Sequence, residues 1–139
     1  MPTRKGNAVW KGDLPSGNGK VKFGSFEGNY SFKSRFEDGE GTNPEELIAA
    51  AHAGCFSMAL ANGLAKDDFT VNEINTEANL SLEKLSEGFR ITKIQLNSEA
   101  DVEGINEEEF LKYADDAKNN CPVSQALKSV EIKLDAKLK

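Results

Sequence analysis

The sequence predicts an α+β domain in which antiparallel sheets pack on one long buried helix. Three observations carry that reading. Strand-like runs are grouped apart from helix-like runs along the chain. Runs on both sides of the central segment show period-two alternation of polar and apolar residues. Between them, from Leu47 to Ala61, only His52 and Ser57 are plainly polar, so this segment is apolar around most of its circumference and predicts a helix covered on nearly all sides. With 139 residues the chain is read as a single domain, 1–139.

The first element group is a meander. Asn7–Lys11, Lys20–Phe23 and Asn29–Phe36 each alternate, with Pro15 to Gly19 and Gly24 to Gly28 punctuating the turns between them. As a strand, the third run puts Tyr30, Phe32 and Phe36 on one face and Arg35 on the other. The linker 37–42 then delivers the chain to the long helix. Its start is signalled three times: Asn43 as cap, Pro44 at the first helical position and Glu46 where a capping box places its carboxylate. The helix is expected from 43 to an end near 62–65. The apolar run of about 15 residues falls short of the roughly 20 that a bilayer span needs, which argues for the core of a soluble domain.

Two long alternating runs follow, 70–85 and 89–98, joined at Gly88 as a hairpin. Asn106 caps an amphipathic, acidic helix over 107–119, in which Phe110, Leu111, Ala114 and Ala117 recur at helical spacing. Pro122 opens a short helix to Lys128, and 129–138 alternates as a last strand. One small sheet covers only one side of an all-round apolar helix, so the remaining face is expected to meet a second copy, making a homodimer.

The formal net charge of −6 and pI near 4.9 disfavour a nucleic-acid or anionic-membrane partner. Two cysteines, Cys55 and Cys121, are too few for a secreted disulfide scaffold, and the opening MPTRKGNAVW lacks the apolar stretch of a signal peptide. A reducing cytoplasmic compartment is expected, where such a pair is core packing, a metal site or transient redox chemistry.

Cys55 alone reads as ordinary buried packing. Cys121 precedes Pro122 and abuts a helix start whose dipole favours a thiolate, which makes it the more acidic thiol on these grounds; which sulfur is reactive stays open at this point. A mid-helix Cys55 needs a nearby cation, and Arg35, just ahead of the linker, is the candidate. Glu45 lies in the first helical turn, ten residues before Cys55, or about 15 Å along the axis at the usual rise. A Glu45 that serves the thiol therefore comes from a partner subunit. His52 precedes Cys55 by one turn, which raises a Cys–His hydrolase or, with Cys121 and a carboxylate, a zinc site. No third group orients the histidine, and the paired-cysteine spacing of zinc sites is missing, so a half-buried structural histidine outweighs both.

Collected together, these residues resemble the OsmC/Ohr family, named for osmotically inducible protein C and organic hydroperoxide resistance. Asn43-Pro-Glu-Glu-Leu47 with Ala50-Ala-His-Ala-Gly-Cys-Phe-Ser-Met-Ala-Leu60 is similar to the family's first cysteine motif, and Asn120-Cys-Pro-Val-Ser-Gln-Ala-Leu127 to its second. Ala8-Val-Trp-Lys-Gly-Asp13, Ser34-Arg-Phe36, Gly88-Phe-Arg-Ile-Thr-Lys-Ile94 and Val130-Glu-Ile-Lys-Leu-Asp135 also fit. The position of Arg35 in Ser34-Arg-Phe36 resembles the OsmC branch more than the Ohr branch.

The resemblance implies an intertwined homodimer and a thiol-dependent peroxidase acting in stress defence, on organic hydroperoxides and more weakly on hydrogen peroxide. It implies Cys55 as the attacking thiol, Cys121 as the resolving thiol that closes a Cys55–Cys121 disulfide, and Arg35 with Glu45 as the polar pair beside the reactive sulfur. An external dithiol, of lipoyl type in the family, reduces the disulfide, and no cofactor or metal is implied. Leu47, Ile48, Phe56 and Met58 are candidate apolar walls for the substrate. The rival reading is a noncatalytic dimeric stress protein whose cysteine pair is structural or redox-sensing.

Overall fold

A computed structural model of the chain describes residues 2–139. It divides into two compact units, Met1–Leu47 and Ile48–Lys139, with the boundary inside the long helix.

The first unit is built on an antiparallel meander, β1 (Gly6–Lys11), β2 (Asn18–Phe23) and β3 (Phe26–Tyr30), in the order β1-β2-β3. Trp10 and Tyr30 pack with ring centroids 5.3 Å apart. They do so over Gly19, where a Cβ would come within 2.6 Å of both rings. A side chain at this position would break the aromatic pair, which is why the turn-proximal end of β2 carries glycine.

The third run is not one strand to Phe36. β3 stops at Tyr30, and α1 (Phe32–Phe36) is a short helix. Ser31 and Ser34 form a reciprocal cap: the Ser34 amide donates to Ser31 Oγ at 3.2 Å, and the Ser31 amide donates to Ser34 Oγ at 2.8 Å. The alternation Phe32, Ser34, Phe36 mimics a strand, but Phe32 and Phe36 are also i, i+4 neighbours, and their rings meet at 4.9 Å. Arg35 is therefore a helical residue, not a strand residue.

Helix α2 (Pro44–Lys66) begins as expected. Asn43 Oδ1 accepts from the Glu46 amide at 2.8 Å, and Asn43 Nδ2 donates to the Ser34 carbonyl at 2.9 Å, tying the cap to α1. The Glu46 carboxylate accepts instead from the Thr42 hydroxyl. At 23 residues α2 ends at Lys66, just past the expected end at 62–65, and is long enough to cross a bilayer. Its packing is that of a core helix, because His52, Phe56, Leu60 and Leu64 are buried along one face.

That face belongs to the second unit, where β4 (Thr70–Leu85) and β5 (Gly88–Glu103) form the long hairpin. β5 runs five residues beyond the expected Ser98. The last strand, β6 (Glu131–Leu138), pairs with β5 in parallel register, Lys93 opposite Glu131 through Ala100 opposite Leu138. This sheet is thus mixed, order β4-β5-β6. Helices α3 (Glu107–Asn120) and α4 (Pro122–Ala126) form the β5-to-β6 crossover that parallel pairing requires. Phe56, Leu60 and Leu64 of α2, Ile94 and Leu96 of β5 and Phe110 and Ala114 of α3 close one core.

The opposite face of α2 is open. Ala51, Gly54, Met58 and Asn62 recur at helical spacing and are all exposed, Met58 at 75 %. The helix that reads as apolar all round is thus covered on one side within the chain.

Candidate active site

Helix α2 carries Cys55 one turn beyond His52 and one residue from the core anchor Phe56, which leaves its thiol half-buried. Cys121 is almost wholly buried, at 1 % exposure. It ends α3 and caps α4 at once: its amide donates to the Ala117 carbonyl at 3.0 Å, and its sulfur accepts from the Ser124 amide at 3.3 Å. Pro122 at the first position of α4 holds that junction extended.

The two thiols are in contact. Burial is the largest influence on Cys55 and pushes its pKa up; the Val123 amide, donating to the sulfur, opposes this, and the neighbouring Cys121 thiol adds to the rise. Within this unit Cys55 is a protonated thiol with one stabilising backbone dipole. Cys121 is the N-cap of α4, a helix of five residues, and its sulfur faces Ser124.

His52 is buried completely, not half-buried. Its Nε2 lies 2.7 Å from Ser124 Oγ, and the Cys121 thiol donates to that same oxygen at 3.1 Å. Nδ1 has no partner, an arrangement that costs about 1–3 kcal/mol for a buried polar atom. Burial also lowers the His52 pKa, so the ring is neutral near pH 7. The imidazole thus addresses Ser124 and, through it, Cys121. A Cys–His hydrolase, with its histidine on the Cys55 thiol, does not fit this pairing. Among the described residues no cluster of three or more His, Cys, Asp or Glu side chains is gathered around a point.

Ser124 and the Val123 amide are what reading the sequence missed. A signal was present: Cys121 and Ser124 stand three apart across Pro122, the spacing of a cap and its reciprocal partner.

In the first unit, Arg35 and Glu45 form a two-point ion pair, Nε to Oε1 at 2.9 Å and Nη2 to Oε2 at 3.0 Å. The Arg35 guanidinium lies 5.3 Å from the centre of the Phe36 ring. Beside it, Trp10, Leu14, Tyr30, Phe32 and Phe36 line a cavity of about 230 Å³. The residues expected as apolar walls separate: Phe56 is sealed in the core, and Met58, two positions on, points to the open face.

Comparison with known proteins gives a consistent picture. The family model described as OsmC-like protein matches residues 37–135. Peroxiredoxin OsmC of Escherichia coli (strain K12) is 51 % identical over 139 residues, covering 98 % of this chain and 96 % of that protein. Organic hydroperoxide resistance protein OhrB of Bacillus subtilis (strain 168) is 30 % identical over 99 residues, 70 % of this chain and 71 % of its own. Among solved structures, an OsmC-like protein of unknown function from Vibrio cholerae superposes with a TM-score of 0.80 at 19 % identity, covering 98 % of this chain and 99 % of that one.

Proposed function

The chain belongs to the OsmC family, and from that premise we propose that it is a cysteine-based peroxidase that reduces organic hydroperoxides. The observation that carries the reading is the contact between a half-buried Cys55 thiol and a buried Cys121 thiol. One sulfur is reachable by a small oxidant, while the other waits behind it. Cys55, as thiolate, attacks the O–O bond; an alcohol leaves, and the sulfur becomes a sulfenic acid. Cys121 condenses with it, releasing water and closing a Cys55–Cys121 disulfide. An external dithiol, with a lipoyl-type molecule as the first candidate, returns both sulfurs to thiols.

Attack needs a thiolate, which burial within one subunit disfavours. The Arg35–Glu45 pair supplies the missing cation. Glu45 and Cys55 are ten residues apart on one unbroken helix, about 15 Å along its axis, so the pair that reaches a given Cys55 comes from a second copy. The open Ala51, Gly54, Met58 face of α2 is the surface through which that copy docks, which makes the active unit a homodimer. The apolar cavity beside Arg35 takes the organic part of the hydroperoxide and favours it over hydrogen peroxide. The working compartment is a reducing, soluble one, where the disulfide is transient.

Consumption of tert-butyl hydroperoxide and of hydrogen peroxide, with dihydrolipoamide as reductant, tests this. Wild type consumes the organic peroxide faster; Cys55→Ser is inactive; Cys121→Ser accumulates a dimedone-reactive sulfenic acid on Cys55 and fails to turn over. Full activity in Cys55→Ser sinks the proposal.

A further inference from the structure

The fully buried His52 is not needed to hold Cys55, yet it ends a chain of three hydrogen-bonded side chains that begins at the other thiol. The Cys121 thiol donates to Ser124 Oγ at 3.1 Å, and Ser124 Oγ lies 2.7 Å from His52 Nε2. With Ser124 Oγ accepting from the thiol, the imidazole tautomer protonated on Nδ1 leaves Nε2 as the acceptor for the Ser124 hydroxyl proton. All three side chains are buried, at 0–4 % exposure, so bulk water does not compete for these positions. The Ser124 amide, donating to the sulfur, holds it in register with the hydroxyl.

We infer that His52, acting through Ser124, is the proton acceptor that activates Cys121 for disulfide closure. The inference rests on the reading of Cys121 as the resolving thiol.

In this step the Cys121 S–H bond breaks, and its proton passes to Ser124 Oγ as Ser124 gives its own proton to His52 Nε2. The Cys121 sulfur attacks the sulfenic sulfur of Cys55; the S–S bond forms, and the S–O bond breaks. The departing hydroxide leaves as water with the proton returned from the imidazolium, so the products are one disulfide, one water and a neutral ring. Cys121 is oxidised and the sulfenic sulfur is reduced, and no outside oxidant enters. No heavy atom of the relay has to move, because a chain pointing from sulfur to imidazole before transfer points from imidazole to sulfur after it. The lowered His52 pKa fits this role, since the ring is kept unprotonated and able to accept.

The role separates from a purely structural one by exchange with 5,5′-dithiobis(2-nitrobenzoate), which does not depend on peroxide chemistry. The half-buried Cys55 forms the mixed disulfide and releases the first thionitrobenzoate; Cys121 then displaces the second. Ser124→Ala and His52→Gln should leave the first release unchanged and slow the second on the order of 100-fold, the scale of a lost general base. Ser124→Thr, which keeps the hydroxyl, should recover most of it. His52→Gln keeps an acceptor where Nε2 stands but has no basicity, so a second release as fast as wild type in that variant overturns proton acceptance. If His52→Gln fails to fold, an unchanged second release in Ser124→Ala overturns the proposal by itself. Single-turnover oxidation of Cys55 by tert-butyl hydroperoxide, followed in the same variants, reports on the peroxidase reading separately.

Discussion

Arg35 and Glu45 meet through two parallel hydrogen bonds, 2.9 and 3.0 Å, across the loop that joins the end of α1 to the start of α2. The fork fixes the guanidinium plane and leaves a further edge free to face a ligand. The carboxylate is the better shielded partner, with its side chain 12 % exposed against 35 % for the arginine.

Replacing Arg35 by lysine keeps the charge and discards the fork. kcat/KM for tert-butyl hydroperoxide is expected to fall at least tenfold, equivalent to about 1.4 kcal/mol of transition-state stabilisation, with Glu45→Gln falling comparably. The thermal midpoint should barely move, because an ion pair this exposed contributes at most about 1 kcal/mol to stability. Steady-state kinetics beside a melting curve distinguishes the two effects.

Gly41 sets the path between the two partners. Its φ is +106°, and a Cβ there would lie 2.3 Å from the Asn29 carbonyl oxygen, the same oxygen that accepts from the Thr42 amide. Gly41→Ala combines a disfavoured backbone region with a clash against backbone. It should cost roughly 1–3 kcal/mol in urea denaturation and lower peroxidase activity beyond what the lost stability explains.

The sequence disclosed the long helix well, because capping chemistry is local: Asn43, Pro44 and Glu46 announce its start without tertiary help. It disclosed the two cysteines and Arg35 as individual residues. Two things escaped it. Phe32, Ser34 and Phe36 satisfy both a strand and a single helical turn, and the decision fell to the Ser31–Ser34 cap. His52 reads as a neighbour of Cys55 because they are three apart, whereas its hydrogen bond spans 72 residues to Ser124, a distance over which local spacing carries no information. The parallel pairing of β6 is hidden likewise, since alternation shows a strand's faces and not its direction.

Gly54 tests the proposed dimer face. Apart from its chain neighbours and the local backbone of its own helix, nothing among the described residues lies within 4 Å of a Cβ built there, so the glycine is not required by intrachain packing. If the face were solvent, Gly54→Ala would raise stability by about 1 kcal/mol through helix propensity. Close approach of a partner helix predicts the reverse, a concentration-dependent loss of stability. Met58→Asp should convert the dimer to a monomer in sedimentation velocity by placing an unpaired carboxylate in that interface.

Acid should weaken the second unit through His52. Burial places its folded pKa below the ordinary 6.5, so the unfolded chain binds the extra proton first. Its contribution to stability is fully present above about pH 6.5 and is lost as pH falls through the lowered folded pKa. His52 is the sole histidine of the chain, so no other imidazole contributes to this dependence. Urea midpoints should drop between pH 7.5 and 5.5 in wild type and flatten in His52→Gln.

The state of Cys55 should report assembly. In an isolated subunit burial dominates and keeps the thiol protonated beyond its ordinary pKa, despite the Val123 amide. In the proposed dimer, an Arg35 guanidinium contributed by the partner would favour the thiolate and act in the opposite direction. The pH profile of iodoacetamide alkylation, read at Cys55 by mass spectrometry, should therefore have a higher midpoint in Met58→Asp than in wild type. Arg35→Ala in the dimer should move the midpoint upward as well, without changing the sedimentation coefficient. If Arg35→Ala leaves the profile where wild type has it, the activating cation is not this arginine, and the two-subunit composition of the site falls with it.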